Sequence, residues 1–139
     1  MAGHLLDTSA LLAHYRQEPG ADAVHRLLQA DDEPLFLSCL SLAEFPRRLV
    51  TLGIPATEVQ ATTEAYAGMM DEILVVDAAI AAGAFHLSQA CAERLPLIDA
   101  LIAATAQSRE ATLVHRDQHL RGIPARRLRQ LVLPDRSGK

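Results

Sequence analysis

The chain contains no tryptophan, two tyrosines and three phenylalanines, so aromatics make up 4% of its 139 residues. That scarcity excludes a nucleic-acid surface built by stacking bases on exposed rings and leaves the core to Ala, Leu, Val and Ile. Cysteine is scarcer still. Cys39 and Cys91 sit in apolar contexts without the paired spacing of a structural metal site, and a reduced, cytoplasmic setting is the expectation. No uninterrupted apolar run reaches the length of a membrane span, and no basic segment followed by an apolar stretch suggests a secretory leader. Positive charge is not in excess either. A net charge of −4 argues against affinity resting on a globally basic surface.

Half of the residues are apolar, enough for one globular domain spanning residues 1–139 without disulfide staples. Charge is uneven along the chain. Seven basic residues lie between Arg116 and Lys139, against Asp117 and Asp135. This segment suits phosphate or an acidic partner, or is simply a solvated surface.

Short β-like runs alternate with longer helical ones. Strands are expected at 4–7, 35–39, 73–77 and 111–115, with a last one at 127–133. Helices are expected at 8–16, 21–30, 42–53, 56–70, 78–93 and 97–108. Strands separated by helices require parallel crossovers, so the fold class is α/β: a central parallel sheet of four to five strands flanked by helices. The weakly charged helix 56–70 suggests a packing face for a partner or a second copy. In open sheets of this kind ligands bind outside the carboxyl ends of the strands.

Four acids fall where that rule points: Asp7 at the end of the first strand, Glu44 after the second, Asp99 in the first turn of helix 97–108, and Asp117 after the strand 111–115. Asp99 interrupts PLIDALIAATA, the least polar run in the chain, where a lone carboxylate is costly unless paired, protonated or bound to a cation. Each acid also has an ordinary explanation. Asp7 suits a helix N-cap. Ser41 and Glu44 have capping-box spacing, although Pro46 weakens that reading. Asp99 suits the dipole of a helix that Pro96 opens, and Asp117 suits a turn. Asp77 also ends a strand, reads as an N-cap, and shows that position alone does not make a site.

The segments LLDTSALLA (5–13), SLAEF (41–45), LPLIDALIAATA (95–106) and LVHRDQHL (113–120) together resemble PIN-domain ribonucleases, specifically the toxins of VapBC toxin–antitoxin pairs. The resemblance implies an acidic pocket holding Mg²⁺, with Mn²⁺ as substitute, and carries Asp7, Glu44, Asp99 and Asp117 over as metal ligands and catalytic residues. It assigns Ser9 to holding the site, and gives Thr8 no role. It further implies cleavage of single-stranded or loop RNA, tRNA among the candidates, by a metal-activated water. A homodimer silenced by a cognate VapB-type antitoxin is also implied. Two other jobs for the same fold remain open: an RNA-processing nuclease outside a toxin–antitoxin pair, and a catalytically inactive interaction module. Arg116, beside Asp117, is a candidate for substrate phosphate. The last motif departs from the T-x-D-x-D-F of many relatives: His115 replaces the threonine, His119 the second acid and Leu120 the aromatic. His115 and His119 also raise a zinc alternative, which the expected loop at 116–119 disfavours.

Overall fold

The computed structural model describes residues 2–135, so Arg136 and Lys139 of the basic segment lie outside the described residues. Five strands form one sheet: β1 (His4–Leu6), β2 (Leu35–Ser38), β3 (Glu72–Leu74), β4 (Thr112–His115) and β5 (Gln130–Val132). All pairings are parallel and the order is β3-β2-β1-β4-β5. The chain builds outward from β1 to β3, then returns to the other side of β1 for β4 and β5. That reversal opens a crevice outside the carboxyl ends of β1 and β4, the place where sheets of this class bind ligands.

The central strands are buried on both faces, which is why they read as short apolar runs. Side chains alternate between the two sides. Leu5, Phe36 and Leu113 face helices α5 (Ala78–Ala90) and α6 (Leu97–Ser108). Leu6, Leu37 and Val114 face α1 (Thr8–Tyr15), α2 (Ala21–Gln29), α3 (Ser41–Thr51) and α4 (Ala56–Gly68). Small residues let α6 approach its neighbours closely. Ala100, Ala103 and Ala104 are buried, and a Cβ added at Gly83 of α5 would sit 3.7 Å from the Ala104 Cβ. Gly3 is needed for another reason: its φ is +80° and a Cβ there would lie 2.4 Å from the Pro34 carbonyl oxygen.

Helix 97–108 and the strand count match expectation. Other elements differ at their ends. The β-branched run 73–77 yields a strand only over Glu72–Leu74, because its one partner β2 ends at Ser38, opposite Leu74, and Val75, which is exposed, has left the ladder. Asp77 caps α5, its Oδ1 accepting from the Ile80 N–H at 2.9 Å. Residues after Asp117 are not a loop: α7 (Gln118–Arg121) is a single helical turn. α4 turns Val59 and Tyr66 inward, and Thr57, Glu58, Gln60 and Glu64 outward. Ala61 and Ala65 are exposed beside them, so its free face mixes polar side chains with small apolar ones.

Candidate active site

Asp7 is the first residue beyond β1. Its own N–H donates to the Val114 carbonyl at 3.0 Å, fixing it against β4. It caps α1: its Oδ2 accepts from the Ser9 N–H at 3.2 Å and from the Ser9 hydroxyl at 2.7 Å. Capping thus occupies one oxygen of a carboxylate that is only 4% exposed. Burial raises Asp7 from 3.8 to about 6 against the two Ser9 hydrogen bonds, and the negative charges of Glu44 and Asp117 add to the rise.

Ser9 does more than hold Asp7. Its hydroxyl oxygen also accepts from the Arg116 N–H at 3.1 Å, so one side chain ties the start of α1 to the segment following β4. The Arg116 guanidinium points elsewhere. It is 8% exposed and pairs with Glu18. The Arg116 backbone N–H has a structural role, and its guanidinium is held below the surface with Nη1 buried and without a hydrogen-bond partner. Arg126, Arg127 and Arg129 precede β5 and line a surface pocket with Gln107 and Glu110, at the sheet edge opposite the acids.

Glu44 is reached by a contact that the sequence reading lacked. Thr8 Oγ1 donates to Glu44 Oε1 at 2.5 Å and lies 3.2 Å from Ser41 Oγ. The capping box does not form. Ser41 is the first residue inside α3, Leu40 stands at the N-cap without a side-chain bond, and Pro46 is accommodated within the helix. Thr8 is buried at the first turn of α1, so the DTS tripeptide presents two hydroxyls, one to each of two acids. Replacing Thr8 with Val keeps the volume and removes the hydroxyl. We expect this to destabilise the fold by about 1–2 kcal/mol and to lower activity about tenfold by freeing Glu44, measured by chemical denaturation and steady-state cleavage.

Asp99 projects from the first turn of α6. It rises from 3.8 to about 7, chiefly through burial, then through the negative charges of Asp117, Asp7 and Glu44; only His119 pulls it down. Asp117 caps α7, its Oδ1 accepting from the His119 N–H at 2.7 Å and the Leu120 N–H at 3.3 Å. One ligand atom from each of Asp99, Asp117 and His119 lies within 4.8 Å of the other two. Asp7 and Glu44 stand outside that triad but close enough to act on Asp99.

His115 is not a partner for His119. It is fully buried; its Nδ1 accepts from the Asp117 N–H at 3.0 Å and its Nε2 donates to Gln130 Oε1 at 2.7 Å. With both nitrogens engaged, the two-histidine zinc alternative fails.

Segments 92 residues apart in sequence, at 7 and 99, therefore share one electrostatic environment. The donor set fits a hard divalent cation, since carboxylate oxygens crowded without compensating charge are what such ions coordinate. A pH signature follows. Asp7 and Asp99 hold protons in the folded state that the unfolded chain releases above about pH 4. Between that point and pH 6–7 the unfolded state binds fewer protons, so stability falls as pH rises through this window. In EDTA the melting temperature should drop between pH 4.5 and 7.5. That part of the drop should vanish in the Asp7→Asn/Asp99→Asn double variant, as read by circular dichroism.

Comparison with known proteins bears on the family and the fold. The PIN domain family matches residues 4–125. VapBC2 from Rickettsia felis, solved bound to a DNA fragment from its promoter, is similar in structure with a TM-score of 0.72 at 19% identity, covering 94% of this chain and 98% of that one. DNA-bound VapBC from Salmonella typhimurium gives 0.71 at 18% identity over 95% and 98% of the two chains. VapBC-5 from Mycobacterium tuberculosis, a member of the VapBC family of toxin–antitoxin systems, gives 0.64 at 25% identity over 95% and 99%. A search of curated proteins finds no match.

Proposed function

The chain belongs to the PIN-domain family, and on that premise we propose that it is a divalent-metal-dependent endoribonuclease, the toxin of a VapBC-type toxin–antitoxin pair. One observation carries the reading: acids from four separate segments act on one another at the switch point of the sheet, with Asp7 and Asp99 raised to about 6 and about 7. Asp7, Glu44, Asp99 and Asp117 would hold Mg²⁺ or Mn²⁺. The ion, when bound, neutralises phosphate oxygens and acidifies water for phosphodiester hydrolysis.

The chain's own residues prepare that site. Ser9 fixes the Asp7 carboxylate and the entry to the segment carrying Asp117. Thr8 holds Glu44. Asp99 stands in the first turn of α6, which packs against α5. Asp117 is oriented by the two N–H groups it caps. Single-stranded or loop RNA, including tRNA, is the proposed substrate class. A cognate VapB-type antitoxin is the proposed partner, and the cytoplasm the proposed location. Structural neighbours that are VapBC complexes support this over the RNA-processing alternative. The proposed homodimer has exposed apolar side chains to use, Phe85, Leu97 and Ile98 among them.

Purified protein with Mg²⁺ or Mn²⁺ should cleave single-stranded RNA, and EDTA should stop it. Expression should arrest growth, relieved by co-expressing an adjacent antitoxin-like reading frame. RNA left intact in both ions, with growth unaffected, would contradict the proposal.

A further inference from the structure

We infer that His119 is a nitrogen ligand of the divalent-ion site, and that the site consequently prefers Mn²⁺ to Mg²⁺. This rests on reading the four acids as a metal site. It adds an atom that the carboxylate quartet lacks and assigns an ion preference that the quartet alone does not set.

The geometry is direct. A ring nitrogen of His119 belongs to the triad with Asp99 and Asp117 in which every ligand atom lies within 4.8 Å of the others. Its Nδ1 is 3.4 Å from Asp117 Oδ1. The placement is built into the backbone. Asp117 caps α7 by accepting the N–H of His119 itself at 2.7 Å, so the turn that orients the carboxylate also brings the imidazole beside it. The contrast with His115 is sharp: that ring is buried with both nitrogens engaged, whereas the His119 side chain is 47% exposed and faces the acids.

Ligand chemistry sets the consequence. Mg²⁺ takes oxygen donors and gives up water reluctantly, so an imidazole adds little to its binding. First-row transition ions accept imidazole readily, and Mn²⁺ also tolerates a carboxylate-rich site. One nitrogen among carboxylates therefore raises Mn²⁺ affinity with little change for Mg²⁺.

Titration calorimetry of the full chain with Mn²⁺ and Mg²⁺ separately, for wild type, His119→Ala and His119→Asp, tests this. Pulsed electron paramagnetic resonance on the Mn²⁺-loaded proteins is the second readout. The exposed ring makes both substitutions compatible with folding, and the capping N–H belongs to the backbone. His119→Ala should lower the Mn²⁺-to-Mg²⁺ affinity ratio by on the order of tenfold with Mg²⁺ affinity little changed, and His119→Asp should keep the ratio low while raising Mg²⁺ affinity above the wild-type value. Wild-type Mn²⁺ should show ¹⁴N modulation from one imidazole, lost in both variants. Mn²⁺ bound with no nitrogen signal, or an unchanged ratio in His119→Ala, overturns the inference and leaves the carboxylate site standing. Failure of all three proteins to bind either ion overturns both.

Discussion

Asp99→Asn melts higher than the wild-type protein in EDTA at pH 7.5, and gains nothing when Mn²⁺ is added. Two opposed effects of one carboxylate produce this result. Without metal, a half-buried acid raised to about 7 by burial and by Asp117, Asp7 and Glu44 destabilises the folded state once it is ionised. The shift from 3.8 corresponds to roughly 4 kcal/mol at full value. Solvent screens a half-buried group, and Asn retains some desolvation cost, so about 1–2 kcal/mol is the expected gain, or about 3–8 °C in a chain of this size. The sign is checked by pH. The raised value means that the wild type is penalised above pH 7 and relieved below pH 4, so the gap between the two proteins should close as pH falls. With metal the order reverses, since ligand at a hundred times its Kd stabilises the wild type by about 2.7 kcal/mol. Differential scanning fluorimetry across pH, with EDTA and with Mn²⁺, reads both halves. An Asp99→Asn protein that keeps the metal-dependent gain would remove Asp99 from the site.

Asp7→Asn separates two roles that share one side chain. Asn caps helices as well as Asp does, so the bonds from Ser9 survive and the fold should be retained within about 1 kcal/mol. Without metal at pH 7.5 the neutral amide also escapes the penalty of the raised Asp7 value, so the variant should be at least as stable as the wild type. If capping were the whole role of Asp7, RNA cleavage would continue. If Asp7 is a metal ligand, the neutral amide weakens the site and cleavage falls by at least about a thousandfold, equivalent to about 4 kcal/mol of transition-state stabilisation. Cleavage rates at saturating Mn²⁺, beside an unfolding curve for each protein, make the distinction. Both capping bonds go to Oδ2, which is compatible with the proposed dual role.

Much of this was readable from the residues in order. Helix 97–108 is apolar, opens after Pro96 and lacks internal breakers, so its bounds come directly from the chain. The Asp77 cap was readable for the same local reason. Features decided by distant contacts were not. Val75 and Val76 have strand-forming side chains, but the partner strand β2 ends at Ser38, opposite Leu74, and leaves them unpaired. Ser41 and Glu44 have capping-box spacing, yet Thr8, distant in sequence, takes Glu44 instead. The turn of α7 is too short for any periodic signal. Its N-cap Asp117 was nonetheless identifiable as an acid after a strand, and His119 two residues later was the visible departure from the motif. Arg116 is a phosphate candidate through its place beside Asp117, and the partner that holds it below the surface, Glu18, lies 98 residues away.

The most direct measurement is a manganese-soaked crystal with anomalous diffraction at the Mn²⁺ absorption edge. The account predicts an anomalous peak in the crevice beyond β1 and β4, bound by side chains of Asp99 and Asp117, with Asp7 and Glu44 facing the same ion directly or through water. An anomalous peak elsewhere on the molecule, or none at concentrations that raise the melting temperature, would contradict it.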